Sequence, residues 1–238
     1  MGRLDADQLN QEEWASVIRT IESVVDYYDR MNNLVTFFRV EKWRRRAGNF
    51  SQEGQDVLEI GCGPGSFTKH LKGRRIVCVD PSEKLLAVAK KRIAGDVEFR
   101  QGEAEHLPVD SGAFDRVFCS FSFRDFKDKR QSLGEIFRAL RNGGQSIILE
   151  IAKPKGMVRR ALMNWHLKYD VPLLAHLIVP SKILNEGGHN IYKDLWETYQ
   201  KYGTADRYAE MMREIGFKDV AWEELTFGGA VLLRGTKP

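Results

Sequence analysis

The sequence is poor in cysteine and has no long apolar run. It contains three cysteines among 238 residues, and none is spaced as C-x-x-C, so neither a disulfide framework nor a cysteine-bound zinc site is indicated. No apolar stretch is long enough to cross a bilayer, and no signal peptide or lipidation motif is apparent. We therefore expect a cytosolic protein in which Cys62, Cys78 and Cys119 are small packing residues.

The chain also lacks a large excess of one charge. Its 37 basic and 33 acidic side chains leave a net charge of +4, and its hydrophobic content of 42% is ordinary for a globular protein. The basic clusters, such as residues 42–46 and 90–92, are interleaved with periodic apolar residues, which is typical of solvated helix faces rather than of a nucleic-acid groove. We expect one domain with additions or a small cap, and no nucleic-acid partner.

What the sequence does contain is an apolar run that ends in three glycines at alternate positions. Residues 56–60 read as a buried strand, Gly61, Gly63 and Gly65 as a tight turn, and the segment from Ser66 as a helix. Glycines permit positive φ and let a ligand approach the backbone, and a helix N-terminus directs unpaired N–H groups at that ligand. For such a loop alone, a plain structural turn is the alternative.

An acid follows the loop at the spacing that nucleotide-binding folds use. The apolar segment 75–79 is predicted to be the second strand, and Asp80 stands at its end, about twenty positions after Gly61. A carboxylate there can accept hydrogen bonds from both hydroxyls of a ribose. The loop and the acid together indicate a site for an adenosine-bearing cofactor.

Two classes of cofactor fit this pattern, and the position of the third glycine separates them. Dinucleotide sites usually have G-x-G-x-x-G, because a pyrophosphate rests on the helix terminus. Here the third glycine, Gly65, comes one place early, and Glu59 precedes the loop. S-adenosylmethionine (SAM) carries an ammonium that suits Glu59, whereas the same carboxylate would repel a pyrophosphate. The loop therefore favours SAM.

Beyond the loop, predicted strands and helices alternate. Segments 97–101, 114–121 and 146–151 read as further strands, and segments 83–93 and 129–141 read as helices between them. Residues 142–144, Asn-Gly-Gly, are predicted to end the second helix. This alternation predicts an α/β protein with a Rossmann-like, doubly wound, mostly parallel sheet.

Three segments depart from this alternation. The apolar spacing over 12–30 predicts a helix, residues 155–203 are too apolar for a simple connection, and a hairpin around 226–229 is predicted to end in an antiparallel strand. The insertion could cover a lipophilic substrate or supply extra core. We predict an N-terminal helical cap (1–50), a SAM-binding core (51–154), a helical lid or substrate insertion (155–203), and a C-terminal helix and hairpin that complete the core (204–238).

Several separate motifs stand along the chain: Tyr28-Asp29-x-Met31-Asn32, Trp43-Arg44, Gly61-x-Gly63-x-Gly65 with Thr68, Asp80, Glu103-Ala104-Glu105-x-Leu107-Pro108, Phe114-Asp115, Ser120-Phe121 with Arg124, Asn142-Gly143-Gly144, Glu150-x-x-Lys153-Pro154, Tyr192 with Leu195, and Gly228-Gly229. Together they resemble the motifs of the ubiquinone/menaquinone-biosynthesis C-methyltransferase family, within the class I SAM-dependent methyltransferases. The chain departs from the family at Asp125, where Asn is usual, and at Cys62 and Pro64, where Gly and Thr are frequent.

The resemblance implies a class I methyltransferase fold and a set of cofactor-binding residues. The glycine loop would hold the methionine end of SAM, the acid after the second strand its ribose, and the acid after the third strand its adenine. By position alone, that last acid could equally be a solvated turn residue. Together with a serine on the near side of the cofactor, the predicted residues are Glu59, Gly61, Cys62, Gly63, Pro64, Gly65, Asp80, Glu103, Ala104 and Ser120.

The implied reaction, methylation of a ring carbon, needs an activated nucleophile. Ionising a hydroquinone phenol with a pKa near ~10 costs about 4 kcal/mol at neutral pH, and a nearby cation would remove much of that cost. We predict that Arg124 is this cation and that Tyr28 or Asp125 places or relays the proton. Because arginine is too basic to accept a proton, a water or Asp125 would act as base. The alternative is that Arg124 and Asp125 are solvated surface charges.

Other functions share these features. An O- or N-methyltransferase for another small molecule, or a SAM-binding protein without turnover, would have the same cofactor site. The histidines show no metal-ligand spacing, so we expect no metal, although His166, His176 or His189 could face the substrate. The apolar insertion predicts a lipophilic small-molecule substrate and a peripheral contact with a membrane.

Overall fold

A mixed sheet forms the centre of the protein. The structure, a computed structural model, describes residues 8–151, 153–184, 195–196 and 199–238. Within these residues the strands are β1 (Asp56–Ile60), β2 (Arg75–Asp80), β3 (Val97–Gln101), β4 (Phe114–Ser120), β5 (Leu140–Glu150), β6 (Lys218–Leu225) and β7 (Ala230–Thr236). They form one seven-stranded sheet in the order β3-β2-β1-β4-β5-β7-β6.

The strand directions follow the predicted topology. Strands β1 to β5 are parallel to their neighbours among themselves, and β7 is antiparallel to both β5 and β6. All five residues of β1 are buried, as is typical of a central parallel strand that is covered on both faces. Leu58 of β1 pairs in register with Val77 of β2 and Val117 of β4. The prediction of a doubly wound, mostly parallel sheet with an antiparallel C-terminal strand is confirmed.

Helices flank the sheet and cover one of its edges. They are α1 (Gln11–Ser23), α2 (Tyr28–Val35), α3 (Val40–Gly48), α4 (Glu83–Arg92), α5 (Lys129–Ala139), α6 (Met157–Trp165), α7 (Val171–His176), α8 (Ser181–Leu184) and α9 (Ala205–Ile215). The side chains of Ser82 and Thr204 cap α4 and α9 by accepting hydrogen bonds from backbone N–H groups of the first turn. Gly216, at φ +121°, ends α9.

The helix predicted over residues 12–30 is two helices. α1 ends at Ser23 and α2 begins at Tyr28. The turn between them contains Val24 and Val25, and both are buried. The helical spacing of the apolar residues therefore continues across a turn that interrupts the helix.

The prediction that a helix begins near Ser66 is wrong. Residues 63–67 form successive turns, followed by one 3-10 turn at Thr68–His70. Phe67 and Thr68 are buried, and the Thr68 hydroxyl donates a hydrogen bond of 2.7 Å to the carboxylate of Glu59. These tertiary contacts fix the segment in place of a helical ladder. The loop therefore presents the N–H groups of turns, rather than a helix N-terminus, to a ligand.

Strand β5 begins earlier than predicted. It starts at Leu140, so Asn142, Gly143 and Gly144 lie inside the strand instead of ending the preceding helix. The N–H of Gly143 donates to the carbonyl of Lys237 at 2.7 Å, and the N–H of Lys237 donates to the carbonyl of Gly144 at 2.9 Å. Pairing with the end of the chain thus converts a predicted stop signal into part of the sheet.

The described part of the insertion is helical, as predicted. α6 continues through a π-helical turn (His166–Asp170) into α7, and α8 follows. Leu167 and Val171 are buried and pack with Val24. The features predicted at His189 and Tyr192 lie outside the described residues. Among the residues that are described, no helix combines the length and the apolarity needed to cross a bilayer.

Candidate active site

Two adjoining pockets lie at the carboxyl edge of the parallel strands. The larger has a volume of about 520 Å³ and a mainly apolar wall, and the smaller has a volume of about 70 Å³. Ile21, Tyr28, Phe121 and Asp125 line both of them. Open α/β sheets bind ligands at this edge, and a group held in one pocket can reach the other across the shared wall.

The residues predicted to hold the cofactor gather around the smaller pocket. Those that line it are Glu59, Gly61, Cys62, Gly63, Pro64, Asp80, Glu103, Ala104 and Ser120. Gly65 does not line the pocket, and a Cβ built on it would approach the Ile93 side chain to 2.9 Å. The structure thus places Gly65 in the packing between the loop and the end of α4.

The glycine loop has the positive φ angles that its sequence predicts. Gly61 has φ +68°, and a Cβ there would lie 2.4 Å from the Cβ of Ser122. Gly63 has φ +52°, and no atom lies within 4 Å of its Cβ position. The loop therefore turns tightly at Gly61 and presents an open stretch of backbone at Gly63.

Asp80 connects the end of β2 to this loop. Its carboxylate accepts hydrogen bonds from the N–H of Gly63 at 2.8 Å and from the N–H of Ser82 at 2.9 Å. Burial raises the pKa of Asp80 to about 6, against the effect of these two hydrogen bonds. At neutral pH the group is mainly ionised and retains lone pairs that can accept the hydroxyls of a ribose.

Glu59 is the other acid of the pocket, and it is 1% exposed. Burial raises its pKa to about 8, although the hydrogen bonds from Thr68 and Cys78 and the charge of Arg44 act in the opposite direction. The carboxyl is therefore mainly protonated at neutral pH until a cation enters the pocket. An ammonium is such a cation.

The far end of the smaller pocket has aromatic and charged residues. Glu103 accepts a hydrogen bond of 2.6 Å from Nζ of Lys127, and this ammonium also lies 4.5 Å from the centre of the Trp14 ring. Ala104 is buried beside them. Sequence reasoning missed Trp14, because apolar spacing in α1 indicates a packed face and gives no sign of which cavity that face covers.

Ser120 supplies an independent test of whether a polar ligand fits. Its Oγ is buried at the end of β4 and has no hydrogen-bond partner in the described part of the chain. A buried hydroxyl without a partner is costly, and a ligand with polar atoms in the pocket would satisfy it. Together with the acids and the open backbone of Gly63, this hydroxyl fits the ribosyl and amino-acid portions of SAM.

The smaller pocket is narrow because α1 lies over it. Trp14, Ile18 and Ile21 of that helix form part of its wall. The N-terminal helix α1 therefore covers part of the cofactor site.

An ion cluster stands where the two pockets meet. Nη1 of Arg124 donates to Glu150 at 2.7 Å, and Nε of Arg124 lies 3.4 Å from a carboxylate oxygen of Asp125. Glu150, at the end of β5, is fully buried and also accepts the N–H groups of Arg124 and Ile151. Sequence reasoning did not select Glu150 for the site, although an acid that ends a buried apolar strand is a signal of this kind.

The protonation states in this cluster differ from those of surface residues. Burial alone would lower the pKa of Arg124, but the charges of Asp125 and Glu150 outweigh it and raise that pKa. Burial raises the pKa of Asp125 to about 6, against the charge of Arg124. The side chains of Arg124 and Asp125 are only 14% and 13% exposed, so the alternative of solvated surface charges is wrong.

Tyr28 completes the boundary between the pockets. Burial raises the pKa of its phenol, although the charges of Arg44 and Arg124 act against the shift. The phenol therefore stays protonated at neutral pH and can donate a hydrogen bond. Arg124 stays charged, and Asp125 is the group nearby that can take up a proton near neutral pH.

The larger pocket suits an apolar molecule with a polar head. Most of its wall comes from α1, α2, the insertion and the hairpin of β6 and β7. His166, one of the histidines expected to face a substrate, belongs to this wall, and its Nε2 lies 2.8 Å from the carbonyl of Val35. In the described residues, no group of three or more His, Cys, Asp or Glu side chains is arranged to hold a metal ion.

Residues 7–237 match the sequence profile of the ubiE/COQ5 methyltransferase family. The chain belongs to this family. The ubiE/COQ5 relatives include the ubiquinone/menaquinone biosynthesis C-methyltransferase UbiE of Pseudomonas fluorescens, which is 32% identical over 93% of this chain and 89% of that protein. Another relative is the demethylmenaquinone methyltransferase of Thermotoga maritima, 31% identical over 92% of this chain and 94% of that protein.

Solved structures agree with membership of the ubiE/COQ5 family at the level of the fold. A SAM-dependent methyltransferase from Thermotoga maritima superposes with a TM-score of 0.64 at 21% identity, covering 93% of this chain and all of that one. The protein is therefore a SAM-dependent methyltransferase with a class I fold, and SAM is its cofactor. The roles of the individual pocket residues toward SAM are proposals.

Proposed function

We propose that this methyltransferase transfers the methyl group of SAM to a ring carbon of a lipophilic, prenylated quinol-like molecule. The observation that carries the proposal is the apolar cavity of about 520 Å³, which shares Tyr28, Phe121 and Asp125 with the cofactor pocket. An aromatic head at the shared wall would leave an apolar tail in the cavity. The printed names of the relatives, which include a C-methyltransferase and a demethylmenaquinone methyltransferase, support the same acceptor class.

The cofactor would be held by the smaller pocket. Asp80 would accept the ribose hydroxyls, Glu103 and Ala104 would contact the adenine, and Glu59 would receive the ammonium of the methionine end. The open backbone at Gly63 would allow close approach, with Cys62 and Pro64 shaping the loop, and Ser120 would lie on the cofactor's near side. When bound, SAM supplies an electrophilic methyl group on a sulfonium.

The residues of the ion cluster would activate the acceptor. A quinol phenol with its usual pKa near ~10 is about 4 kcal/mol from ionisation at pH 7. The fixed charge of Arg124 would stabilise the phenolate, and Asp125, directly or through a water, would accept the phenolic proton. Tyr28 would hold the oxygen by a hydrogen bond. The ring carbon would then take the methyl group as the bond from that methyl to the sulfonium sulfur breaks, which leaves a neutral thioether. The same ring carbon would afterwards lose its own proton to a water, which restores the aromatic ring.

Transfer of label from SAM to a quinol tests the proposed function. The purified protein is incubated with SAM carrying a radioactive methyl group and a prenylated quinol that lacks one ring methyl. Label in the organic-soluble quinol supports the proposal, and label that depends on a small amine or phenol instead supports an N- or O-methyltransferase. Cofactor binding without any labelled product would support a protein without turnover.

We also propose that the protein contacts a membrane at the mouth of the apolar cavity. Phe37, Leu162 and Phe227 line the cavity and are each more than 60% exposed. The helical run through α6 and α7 carries further exposed apolar side chains at spacings of three or four residues, which place them on one stripe: Val158, Leu162, Trp165, Tyr169 and Leu173. Such a stripe suits the interface of a bilayer, from which a prenylated molecule could enter the cavity.

Flotation with phospholipid vesicles tests this contact. Wild-type protein is expected to float with the vesicles, whereas the combined variant Leu162→Ser, Trp165→Ser, Leu173→Ser stays in the dense fraction. Gln52→Ser, at an exposed position before β1, is the matched control and should float like the wild type. Absence of wild-type protein from the lipid fraction, or equal flotation of the triple variant, would contradict the proposal.

A further inference from the structure

The cofactor pocket contains a buried arginine that the reaction described above does not use. Arg44, in the middle of α3, is 2% exposed and lines the smaller pocket together with Glu59 and Gly61. Burying a guanidinium is costly unless its N–H groups find acceptors.

The protein supplies hydrogen-bond acceptors for only some of the N–H donors of this guanidinium. Nη1 of Arg44 donates to Glu41 at 3.0 Å, and the same atom lies 3.6 Å from a carboxylate oxygen of Asp29. Nε of Arg44 is buried and has no hydrogen-bond partner within the described residues. Since a guanidinium has five N–H donors in a planar fork, Arg44 can donate to a further acceptor in the pocket.

Arg44 shares its two anionic neighbours, Asp29 and Glu41, with other cations. Arg92 lies 3.2 Å from Asp29, and Lys69 lies 3.1 Å from Glu41. Asp29 and Glu41 therefore neutralise Arg44 only in part, and its guanidinium can accommodate a further anion.

The amino-acid end of SAM matches this arrangement, because it carries an ammonium and a carboxylate on one carbon atom. We propose that Arg44 binds the carboxylate of the methionine end of the cofactor, while Glu59 on the same pocket wall receives the ammonium. A carboxylate and a guanidinium form two parallel, charge-assisted hydrogen bonds, which would use the unpartnered Nε and balance the local charge. This inference rests on the cofactor and is independent of the identity of the methyl acceptor.

Calorimetric titration with three ligands tests the inference without any methyl acceptor. S-adenosylhomocysteine has both charged groups, decarboxylated SAM has only the ammonium of that end, and 5′-methylthioadenosine has neither. Arg44→Gln is expected to weaken binding of S-adenosylhomocysteine about 10- to 100-fold. Its affinity for 5′-methylthioadenosine should stay within about twofold of wild type, since that ligand lacks the carboxylate.

Two controls separate recognition from folding. Arg45→Gln changes the neighbouring exposed arginine of the same helix and should leave all three affinities unchanged. SAM, titrated as a fourth ligand, gives a comparison that requires no variant to fold: wild-type protein should bind decarboxylated SAM more weakly than SAM by about the factor that Arg44→Gln costs. Equal weakening of all ligands in Arg44→Gln, or wild-type indifference to the carboxylate, would overturn the inference. Loss of methyl transfer to quinols with these binding results intact would contradict only the proposed function.

Discussion

Burial lowers the pKa of Arg124 and raises that of Asp125, but the nearby charges outweigh the effect of burial only at Arg124. Asp125 and Glu150 keep the guanidinium of Arg124 charged, while burial brings the pKa of Asp125 to about 6, within reach of neutral pH. One residue therefore supplies a fixed charge, and its neighbour in the chain can exchange a proton. Glu150 holds Arg124 in place through a side-chain and a backbone hydrogen bond.

Removing the guanidinium of Arg124 should slow methyl transfer and leave the affinity for SAM unchanged. Arg124→Met is expected to lower kcat by about 10²- to 10³-fold, because the phenolate loses its stabilising charge, with the Kd for SAM within about twofold of wild type. Steady-state kinetics and calorimetry measure the two quantities. Arg130→Met, at an exposed arginine of α5, is the matched control. Undiminished turnover in Arg124→Met would remove this residue from the proposed mechanism.

Cofactor affinity should depend on pH through Glu59. Its pKa of about 8 results from burial, which outweighs the hydrogen bonds of Thr68 and Cys78 and the charge of Arg44, and nearby Asp80 raises it further. Pairing with an ammonium needs the ionised carboxylate, so binding below that pKa releases a proton. The association constant should therefore rise with pH from about 6.5, by up to about tenfold per unit.

This rise should end near pH 8, where the cofactor's own α-ammonium, with an ordinary pKa near ~8, begins to lose its proton. Calorimetry in buffers with different ionisation heats counts the released protons. Glu59→Gln should abolish the dependence between pH 6.5 and 8. A wild-type affinity that is constant over this range would show that Glu59 does not receive the ammonium.

Some site residues could be predicted from the sequence because they lie at or just after the end of a predicted strand. Asp80 ends β2 and Arg124 lies four residues after the end of β4, so their place at the carboxyl edge follows from the alternation of strands and helices. Trp14 and Glu150 were not selected, because their roles depend on which elements pack over that edge. Spacing in α1 identifies an apolar face but does not identify the pocket beneath it.

At the scale of elements, α1 is the cover of the cofactor pocket. Contacts at several points hold it to the core. Glu13 forms an ion pair with Lys201, the ring of Trp14 contacts Lys127, and Ser82 donates a hydrogen bond of 2.5 Å to Glu22 near the end of α1. Because these contacts involve polar and charged side chains that water can also satisfy, we expect α1 to open and close as the cofactor exchanges.

Shortening Trp14 should therefore weaken cofactor retention. Trp14→Ala removes both an aromatic wall of the pocket and a contact of the cover with Lys127, and SAM is expected to dissociate about tenfold faster. Stopped-flow displacement measures the rate. Trp165→Ala, at an exposed position in α6, is the control and should leave the rate unchanged. Equal dissociation rates for Trp14→Ala and wild type would show that α1 does not retain the cofactor.

Only part of the structure of the glycine loop could be predicted from its local sequence. The turn at Gly61 and the positive φ values follow from the glycines themselves, but the predicted helix from Ser66 does not form. Burial of Phe67 and the hydrogen bond from Thr68 to Glu59 decide the backbone there. This hydrogen bond joins residues nine positions apart in the chain, and helical propensity carries no information about it.

At the scale of the whole molecule, the fold joins a polar pocket to an apolar cavity. The sheet order, with β1 and β4 adjacent, brings the glycine loop and the ion cluster to one edge. The N-terminal helices and the insertion then enclose the cavity above that edge. The apolar content of the insertion predicted a lipophilic cover, but only the tertiary structure shows that Tyr28 and Asp125 stand between the two pockets.

The apolar cavity predicts that the acceptor's tail contributes to binding. Each buried methylene contributes about 0.8 kcal/mol, so one prenyl unit should raise kcat/KM by at least about 100-fold over the bare quinol head. Initial rates with a series of prenylated quinols in detergent measure this dependence. Leu162→Ala and Met163→Ala, in the cavity wall, should reduce the gain. Equal kcat/KM for tailed and tailless acceptors would contradict a role for the cavity in tail binding.

The position of the transferred methyl group tests the central proposal most directly. The protein is incubated with SAM bearing a ¹³C-labelled methyl group and a ring-demethylated prenylated quinol, and the product is analysed by NMR. The account predicts a methyl carbon bonded to a ring carbon, seen through one-bond carbon–carbon coupling in a ring-labelled quinol. A methyl group on a phenolic oxygen, or an unmodified quinol recovered beside bound cofactor, would contradict it.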